Sequence, residues 1–144
     1  MHLLDVSVLV ALCDAAHEFH DEASAWFNSV RLDGWATCPL TENGLVRILG
    51  HSAYPGTPGS PARARPLLQA LTRTPGHVFW ADEVSICDAT VFPSLARTTA
   101  ASLTDLYLLA LALHHGARFA TLDRRIDPAV IPGGAGALVL VPVA

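Results

Sequence analysis

The sequence predicts an α/β domain in which a central parallel sheet of four to five strands is covered by helices on both faces. Short strand-like apolar segments alternate with helix-like ones, a pattern that is typical of crossover units. One helical segment, residues 106–113, is apolar on every side and must therefore be fully buried. The length of 144 residues, 51% of them hydrophobic, suits a single domain over residues 1–144.

The predicted strands are short and apolar. The first four are expected at residues 2–5, 35–38, 78–80 and 118–121, and a fifth at residues 138–141.

The predicted helices lie between these strands. Residues 17–30 and 41–49 have apolar positions at helical spacing, and residues 66–73 form a shorter helix. Residues 8–12 continue from the first strand into a turn or helix. Residues 51–66, rich in Pro and Gly, are expected to form a loop, and residues 133–136 a flexible connection. A short helix is expected over residues 87–96, although Pro93 interrupts it.

Composition excludes several classes of function. All nine basic residues are arginine, so a P-loop lysine or a Schiff-base lysine is impossible. The net charge of -4 argues against a basic nucleic-acid-binding tail. Three cysteines without CxxC spacing indicate reduced thiols rather than a disulfide framework, and the longest uncharged stretch is too short and too broken to span a membrane. We therefore expect a cytoplasmic protein.

Four acids occur where buried elements meet their loops. Asp5 follows the first strand and Asp123 the fourth, whereas Glu42 and Asp105 lie in the first turns of helices. Ligands of open α/β sheets bind beyond the carboxyl ends of the strands, where Asp5 and Asp123 would both lie.

Each acid also has an ordinary structural interpretation. Glu42 and Asp105 could simply favour the positive ends of their helices, and residues 102–105 are similar to a capping box. A buried Asp5 needs a cation, and Arg118 or Arg47 could supply it.

A convergent arrangement would instead require a metal ion. Two carboxylates 4 Å apart repel by about 4 kcal/mol at an effective dielectric constant near 20. A hard divalent cation would neutralise them, and all-oxygen ligation favours Mg²⁺ or Mn²⁺ over Zn²⁺. Such a centre suits metal-assisted displacement at phosphorus, in which no nucleophilic side chain is needed.

Three segments carry a resemblance to a known family. The sequence LLDVSVLVAL around Asp5, TENGLVRIL around Glu42, and LTDLYLLALALHHGARFATLDRRI, which holds Asp105 and Asp123, resemble PIN-domain ribonucleases. The nearest likeness is to the VapC-type toxins of bacterial toxin–antitoxin pairs. It extends over nearly the whole chain, and residues 103–125 are its most specific part.

The resemblance implies a three-layer α/β/α PIN-like domain and an Mg²⁺- or Mn²⁺-dependent endoribonuclease that cleaves RNA with metal-activated water. It also implies a homodimer and inhibition by a small cognate antitoxin of a type II pair. The acidic quartet of the family falls on Asp5, Glu42, Asp105 and Asp123, which are the expected catalytic residues and metal ligands. Ser7 and, more weakly, Asp127 match outer positions that support the metal ligands.

Other interpretations stay open at this point. A non-catalytic PIN-fold module that binds RNA or protein is one. A metal-dependent phosphatase is another, although Ser7 replaces the second aspartate of the DxD motif. His114 and His115 lack the further ligands at defined spacing that zinc requires, and we expect them to interact with the negative end of their helix.

Contacts with partners are predicted from arginines and apolar segments. Arg47, Arg124 and Arg125 are candidates for contact with RNA phosphates or an antitoxin, whereas Arg97 is not. Residues 17–30, with Trp26 and Phe27, and residues 41–54 are candidate dimer or antitoxin surfaces.

Overall fold

A computed structural model of the chain describes residues 1–56 and 58–143. Among these residues, five strands alternate with six α-helices, and the alternation of strands and helices agrees with the sequence analysis. The strands are β1 (His2–Leu4), β2 (Trp35–Thr37), β3 (His77–Phe79), β4 (Arg118–Thr121) and β5 (Leu138–Leu140). The helices are α1 (Val6–Cys13), α2 (His20–Val30), α3 (Pro39–Leu49), α4 (Pro61–Thr72), α5 (Leu103–His114) and α6 (Gly134–Ala137).

The sheet is parallel throughout and has the strand order β3-β2-β1-β4-β5. The chain moves outward from β1 to β2 and β3 on one side, then crosses to β4 and β5 on the other. The strand order therefore reverses between β1 and β4. At such a switch point the two adjacent crossovers leave on opposite faces, which opens a crevice at the carboxyl ends of the strands.

The sheet separates two hydrophobic layers. One is built around α5, in which every residue from Leu106 to Ala112 is buried. The other packs α1, α3 and α4 against the opposite face, with Trp35 and Leu45 fully buried within it. The result is the expected three-layer α/β/α architecture. The predicted burial of residues 106–113 is confirmed for 106–112, and Leu113 is partly buried.

The Pro- and Gly-rich loop is shorter than predicted, because α4 begins at Pro61 rather than at Pro66. The Ser60 hydroxyl caps this helix by accepting from the Arg63 backbone N–H, and proline is favoured at the first helical position. Pro66 interrupts the hydrogen bonds of α4 without ending it. Ala64 and Leu68, which are both buried, provide the packing that offsets this interruption.

Two other predictions of local structure were wrong. Residues 87–96 form no helix; turns closed by Asp88 and Ser94 side chains on following backbone N–H groups occupy this segment, and Phe92 anchors it in the core. Residues 134–137 are a helical turn rather than a flexible connection, since Gly134 packs closely against Leu109 of α5. Within the described residues, no helix combines the length and the apolar character needed to cross a membrane.

Candidate metal centre at the switch point of the sheet

Asp5 lies directly after β1 and is the N-cap residue of α1. Its side chain is buried, with only 6% of the residue exposed. The Ser7 and Thr121 hydroxyls both donate to Oδ2 of Asp5, each at 2.6 Å. These two bonds fix the orientation of the carboxylate and leave Oδ1 without a side-chain hydrogen bond among the described contacts.

The same two hydroxyls hold the chain that follows β4. Thr121 Oγ1 accepts from the Asp123 backbone N–H at 3.0 Å, and Ser7 Oγ accepts from the Leu122 backbone N–H at 3.2 Å. Asp5 and Asp123, which are 118 residues apart, are therefore linked through one threonine. Ser7 is thus hydrogen-bonded to Asp5, and its support of a metal ligand stays a prediction.

Asp105 projects from the first turn of α5 toward these acids. Burial, together with the negative charges of Asp5 and Asp123, raises the pKa of its carboxyl to about 6. The predicted capping box does not form. The Ser102 side chain makes no capping bond and instead bonds to Thr99, so capping does not account for the acid at this position.

Asp123 is the one member of this group that has a cation. The Arg125 side chain donates to both of its oxygens, from Nε at 3.0 Å and from Nη2 at 2.8 Å. These bonds and the positive charge of Arg125 hold the pKa of Asp123 below its usual range. The alternative that Arg118 or Arg47 neutralises Asp5 is wrong, because neither forms an ion pair with it in the described part of the chain.

Glu42 lies in the first turn of α3, after the strand adjacent to β1. Its carboxylate accepts from Thr37 Oγ1 at 2.7 Å, and the same hydroxyl lies 2.8 Å from His77 Nε2. The structure thus connects Glu42 to β2 and β3. No hydrogen bond among the described residues connects it to Asp5, Asp105 or Asp123.

A cavity of about 280 Å³ opens beside Asp105 and Asp123, whereas Asp5 and Glu42 are not among the residues that line it. Asp105, Asp123 and Arg125 line it, together with Arg97 and Asp127, which form an ion pair of 2.5 Å across 30 residues of sequence. Asp127 also accepts from the Ala129 backbone N–H. Sequence reasoning missed Arg97, because the irregular segment that carries it has no periodicity from which its position could be predicted.

Comparison with known proteins identifies the family to which this chain belongs. A family model described as the PIN domain matches residues 2–129, which include all four candidate ligands. The chain belongs to the PIN-domain family. The resemblance stated from the sequence is thereby confirmed.

Curated relatives of this PIN domain cover most of its length. Ribonuclease VapC44 of Mycobacterium tuberculosis is 44% identical over 131 residues, which are 91% of this chain and 92% of the relative. Ribonuclease VapC39 of the same organism is 37% identical over 131 residues, or 91% and 94% of the two chains. Ribonuclease VapC38, again from this organism, is 42% identical over 123 residues, or 85% of each chain.

The donor set of this PIN domain fits a hard divalent cation. Asp5, Asp105 and Asp123 offer only carboxylate oxygens, which are the ligands that Mg²⁺ and Mn²⁺ prefer. Among the described residues, no three of the acids bring their oxygens within 4.8 Å of one another. To share one cation, the three carboxylates would therefore have to approach one another more closely than they do here.

The predicted contact arginines lie in three different places. Arg125 lines the acidic cavity. Arg124 lies in a neighbouring hollow with Phe19 and Ile48. Arg47 is exposed on α3 and lines a separate hollow beside the Pro- and Gly-rich loop, away from the acids.

Proposed function

We propose that this PIN domain is an Mg²⁺- or Mn²⁺-dependent endoribonuclease and the toxin of a type II toxin–antitoxin pair. The observation that carries the proposal is the grouping of Asp5, Asp105 and Asp123 at the switch point of the sheet, where Asp5 is buried without a cation. The ribonuclease names of relatives at 37% to 44% identity support the choice of RNA as substrate.

Asp5, Asp105 and Asp123 would hold the cation, with Glu42 as a further ligand or as an outer support from the first turn of α3. A divalent cation held there lowers the pKa of a bound water and stabilises negative charge on the phosphate. Ser7 and Thr121 bond to Oδ2 of Asp5 and keep the carboxylate in one orientation, which would leave Oδ1 for the cation. Asp127, paired with Arg97, would act at most from outside the ligand set.

Arginines that line the acidic cavity would position the RNA backbone. Arg125 ion-pairs with Asp123 while 90% of its side chain is exposed, so it can turn to a phosphate without leaving a buried charge. Arg97 is 73% exposed and has the same freedom. Because the net charge is -4, bulk attraction cannot draw RNA to this protein, and local guanidinium contacts must do so.

The proposed antitoxin would cover the hollow next to the acids. Ile48 is 39% exposed there and lies beside Phe19, Leu122 and Arg124, an apolar surface with a positive edge. An amphipathic helix with an acidic flank fits such a surface. Phe27 belongs to the core instead, since it is 5% exposed, and Trp26 is half-buried edge-on against His2, which leaves little of α2 for a homodimer.

Cleavage of single-stranded RNA by the full chain tests the proposal. Purified protein is incubated with RNA in EDTA, in Mg²⁺ and in Mn²⁺, beside Asp105→Asn and the control Asp33→Asn, which changes an exposed acid outside the site. We expect metal-dependent strand scission by the parent and by the control, and none by Asp105→Asn. Metal-independent cleavage, or equal cleavage rates for the parent and Asp105→Asn, would refute the proposed metal-dependent endoribonuclease. RNA binding without scission would favour the non-catalytic module.

A further inference from the structure

A second cluster of metal-ligating side chains lies at the other end of α5. His114 is the last residue of this helix, His115 follows it, and Glu83 reaches them from the irregular segment after β3. One donor atom from each of the three side chains can be chosen so that all lie within 4.8 Å of one another. No other group of three or more His, Cys, Asp or Glu side chains in the described residues meets this condition.

His115 is held in position by packing. Its ring stacks on Trp80 at a centroid separation of 3.9 Å and an angle of 8°. Nε2 is buried and lies 2.8 Å from Glu83 Oε1, yet the direction of the contact does not satisfy a hydrogen bond. A buried ring nitrogen without a hydrogen-bond partner needs a ligand or a proton shared with its neighbours.

We propose that Glu83, His114 and His115 form a binding site for Zn²⁺ or a similar borderline transition-metal ion, separate from the acidic centre. Two imidazoles and one carboxylate make a His₂Glu set, which suits zinc and leaves a fourth position for water. Imidazole nitrogen disfavours Mg²⁺, so the two sites select different ions.

The distances require only small movements. Tetrahedral zinc with bonds of about 2.1 Å separates its ligand atoms by about 3.4 Å. Glu83 Oε1 lies 3.7 Å from His114 Nε2 and 2.8 Å from His115 Nε2, on either side of that value. The His114 and Glu83 side chains are 52% and 46% exposed and can adjust, while stacking keeps His115 fixed.

The position gives such an ion a structural effect. His114 lies nine residues beyond Asp105 on α5, which corresponds to about 14 Å along the helix axis. Glu83 belongs to residues 80–102, which contain no helix or strand. An ion shared by Glu83 and the two histidines would attach this segment to the end of the buried helix, and binding to the folded state alone would raise the melting temperature.

Zinc titration of tag-free protein tests the proposal by calorimetry, with Co²⁺ absorption spectra as a second readout. The background carries Asp105→Asn and Asp123→Asn, so that the acidic centre cannot contribute, and Cys87→Ser, because Cys87 is an exposed thiol. Variants on this background are His115→Phe, which retains a ring against Trp80, and Glu83→Gln. The matched control is His51→Ala, an exposed histidine outside the cluster.

We expect one Zn²⁺ per chain in the background and in the control, with affinity about tenfold or more weaker in His115→Phe and Glu83→Gln. Zinc should also raise the melting temperature of the background and not that of His115→Phe. Absence of saturable binding in the background, or equal affinity in all variants, would overturn the proposal. Circular dichroism of each variant identifies any that fails to fold, and His114→Ala then replaces it. Failure of the ribonuclease proposal would leave these results unchanged.

Discussion

Thr121 Oγ1 donates a hydrogen bond of 2.6 Å to Asp5 Oδ2, across the boundary at which the strand order reverses. The backbone brings the two residues together, because Leu4 pairs with Ala120 in the sheet and the Asp5 N–H donates to the Ala120 carbonyl. The threonine also receives the Asp123 N–H. One hydroxyl therefore sets the position of two candidate metal ligands.

Thr121→Val keeps the shape of this side chain and removes its hydroxyl. We expect cleavage to slow by about 10–100-fold, the usual cost of losing a group that orients a metal ligand. The free energy of unfolding should fall by about 1–3 kcal/mol, because a buried acceptor and the Asp123 N–H lose their partner. Initial rates and urea denaturation measure the two effects. Thr121→Ser should restore both, and a fast Thr121→Val enzyme would contradict the assigned role.

Asp105→Asn should be inactive and yet more stable than the parent at pH 7.5. Without metal, the folded protein raises the pKa of Asp105 to about 6, from 3.8. The folded state thus binds the proton more tightly, and stability falls as pH rises from about 4 through 6. After discounting for solvent screening, we expect the substitution to raise the free energy of unfolding by about 1 kcal/mol. Urea denaturation in EDTA should show this gain at pH 7.5 and none below pH 4; the same gain at both pH values would argue against a charge effect.

Arg125→Ala should bind Mn²⁺ more tightly than the parent. Arg125 donates to both oxygens of Asp123, so a cation must displace it to use either oxygen fully. Cleavage should nevertheless slow, because the same guanidinium is proposed to contact RNA phosphate. Paramagnetic resonance of free Mn²⁺ gives the affinity, and Arg124→Ala, which removes the adjacent exposed arginine, is the control. Unchanged Mn²⁺ affinity in Arg125→Ala would show that the ion pair does not compete.

Tyr54→Phe should destabilise the protein at neutral pH. The Tyr54 hydroxyl donates to Asp14, which joins the loop after α3 to the end of α1. This bond lowers the pKa of Asp14 in the folded state. It therefore stabilises the folded protein above the ordinary pKa of an aspartate, and this stabilisation is lost as the pH falls through the lowered pKa. The expected loss is about 0.5–1.5 kcal/mol at pH 7 and smaller at pH 3. Thermal unfolding at the two pH values measures it, and an equal loss at both would exclude the linkage.

Gly44→Ala should disturb the candidate site from outside it. A Cβ at this position would lie 2.6 Å from Val6 Cγ2, at the contact of α3 with α1. Those helices carry Glu42 and follow Asp5, so separating them shifts both acids. We expect a loss of about 1–3 kcal/mol in unfolding free energy together with slower cleavage. Gly136→Ala, where a Cβ meets nothing within 4 Å, serves as the control and should leave cleavage unchanged without lowering the free energy of unfolding.

Helices and strands with a strong periodicity of apolar residues could be predicted from the sequence. Segments whose conformation depends on local side-chain hydrogen bonds could not. All five strands occur where the apolar pattern placed them, to within one residue at each end, and the helix predicted over residues 106–113 begins three residues earlier and ends one residue later. The early start of α4 depends on the Ser60 cap, which a Pro- and Gly-rich composition hides. The loop over residues 87–96 depends on side-chain turns that interrupt a pattern otherwise typical of a helix.

Two residues of the candidate site could be predicted from their positions in the chain alone. Asp5 and Asp123 end adjacent strands, so the sheet topology brings them to one crevice. Asp105 required the resemblance, because an acid in a first helical turn is usually a cap. Neither the Arg97–Asp127 pair nor the approach of Glu83 to the two histidines has a sequence signal, since one partner of each lies in the irregular segment 80–102.

The burial of the middle of α5, residues 106–112, determines how its two ends can influence each other. This part of the helix is rigid, since sliding it would require the surrounding core to repack. Ions at the aspartate end and at the histidine end should therefore bind additively, each with the same affinity whether or not the other is present.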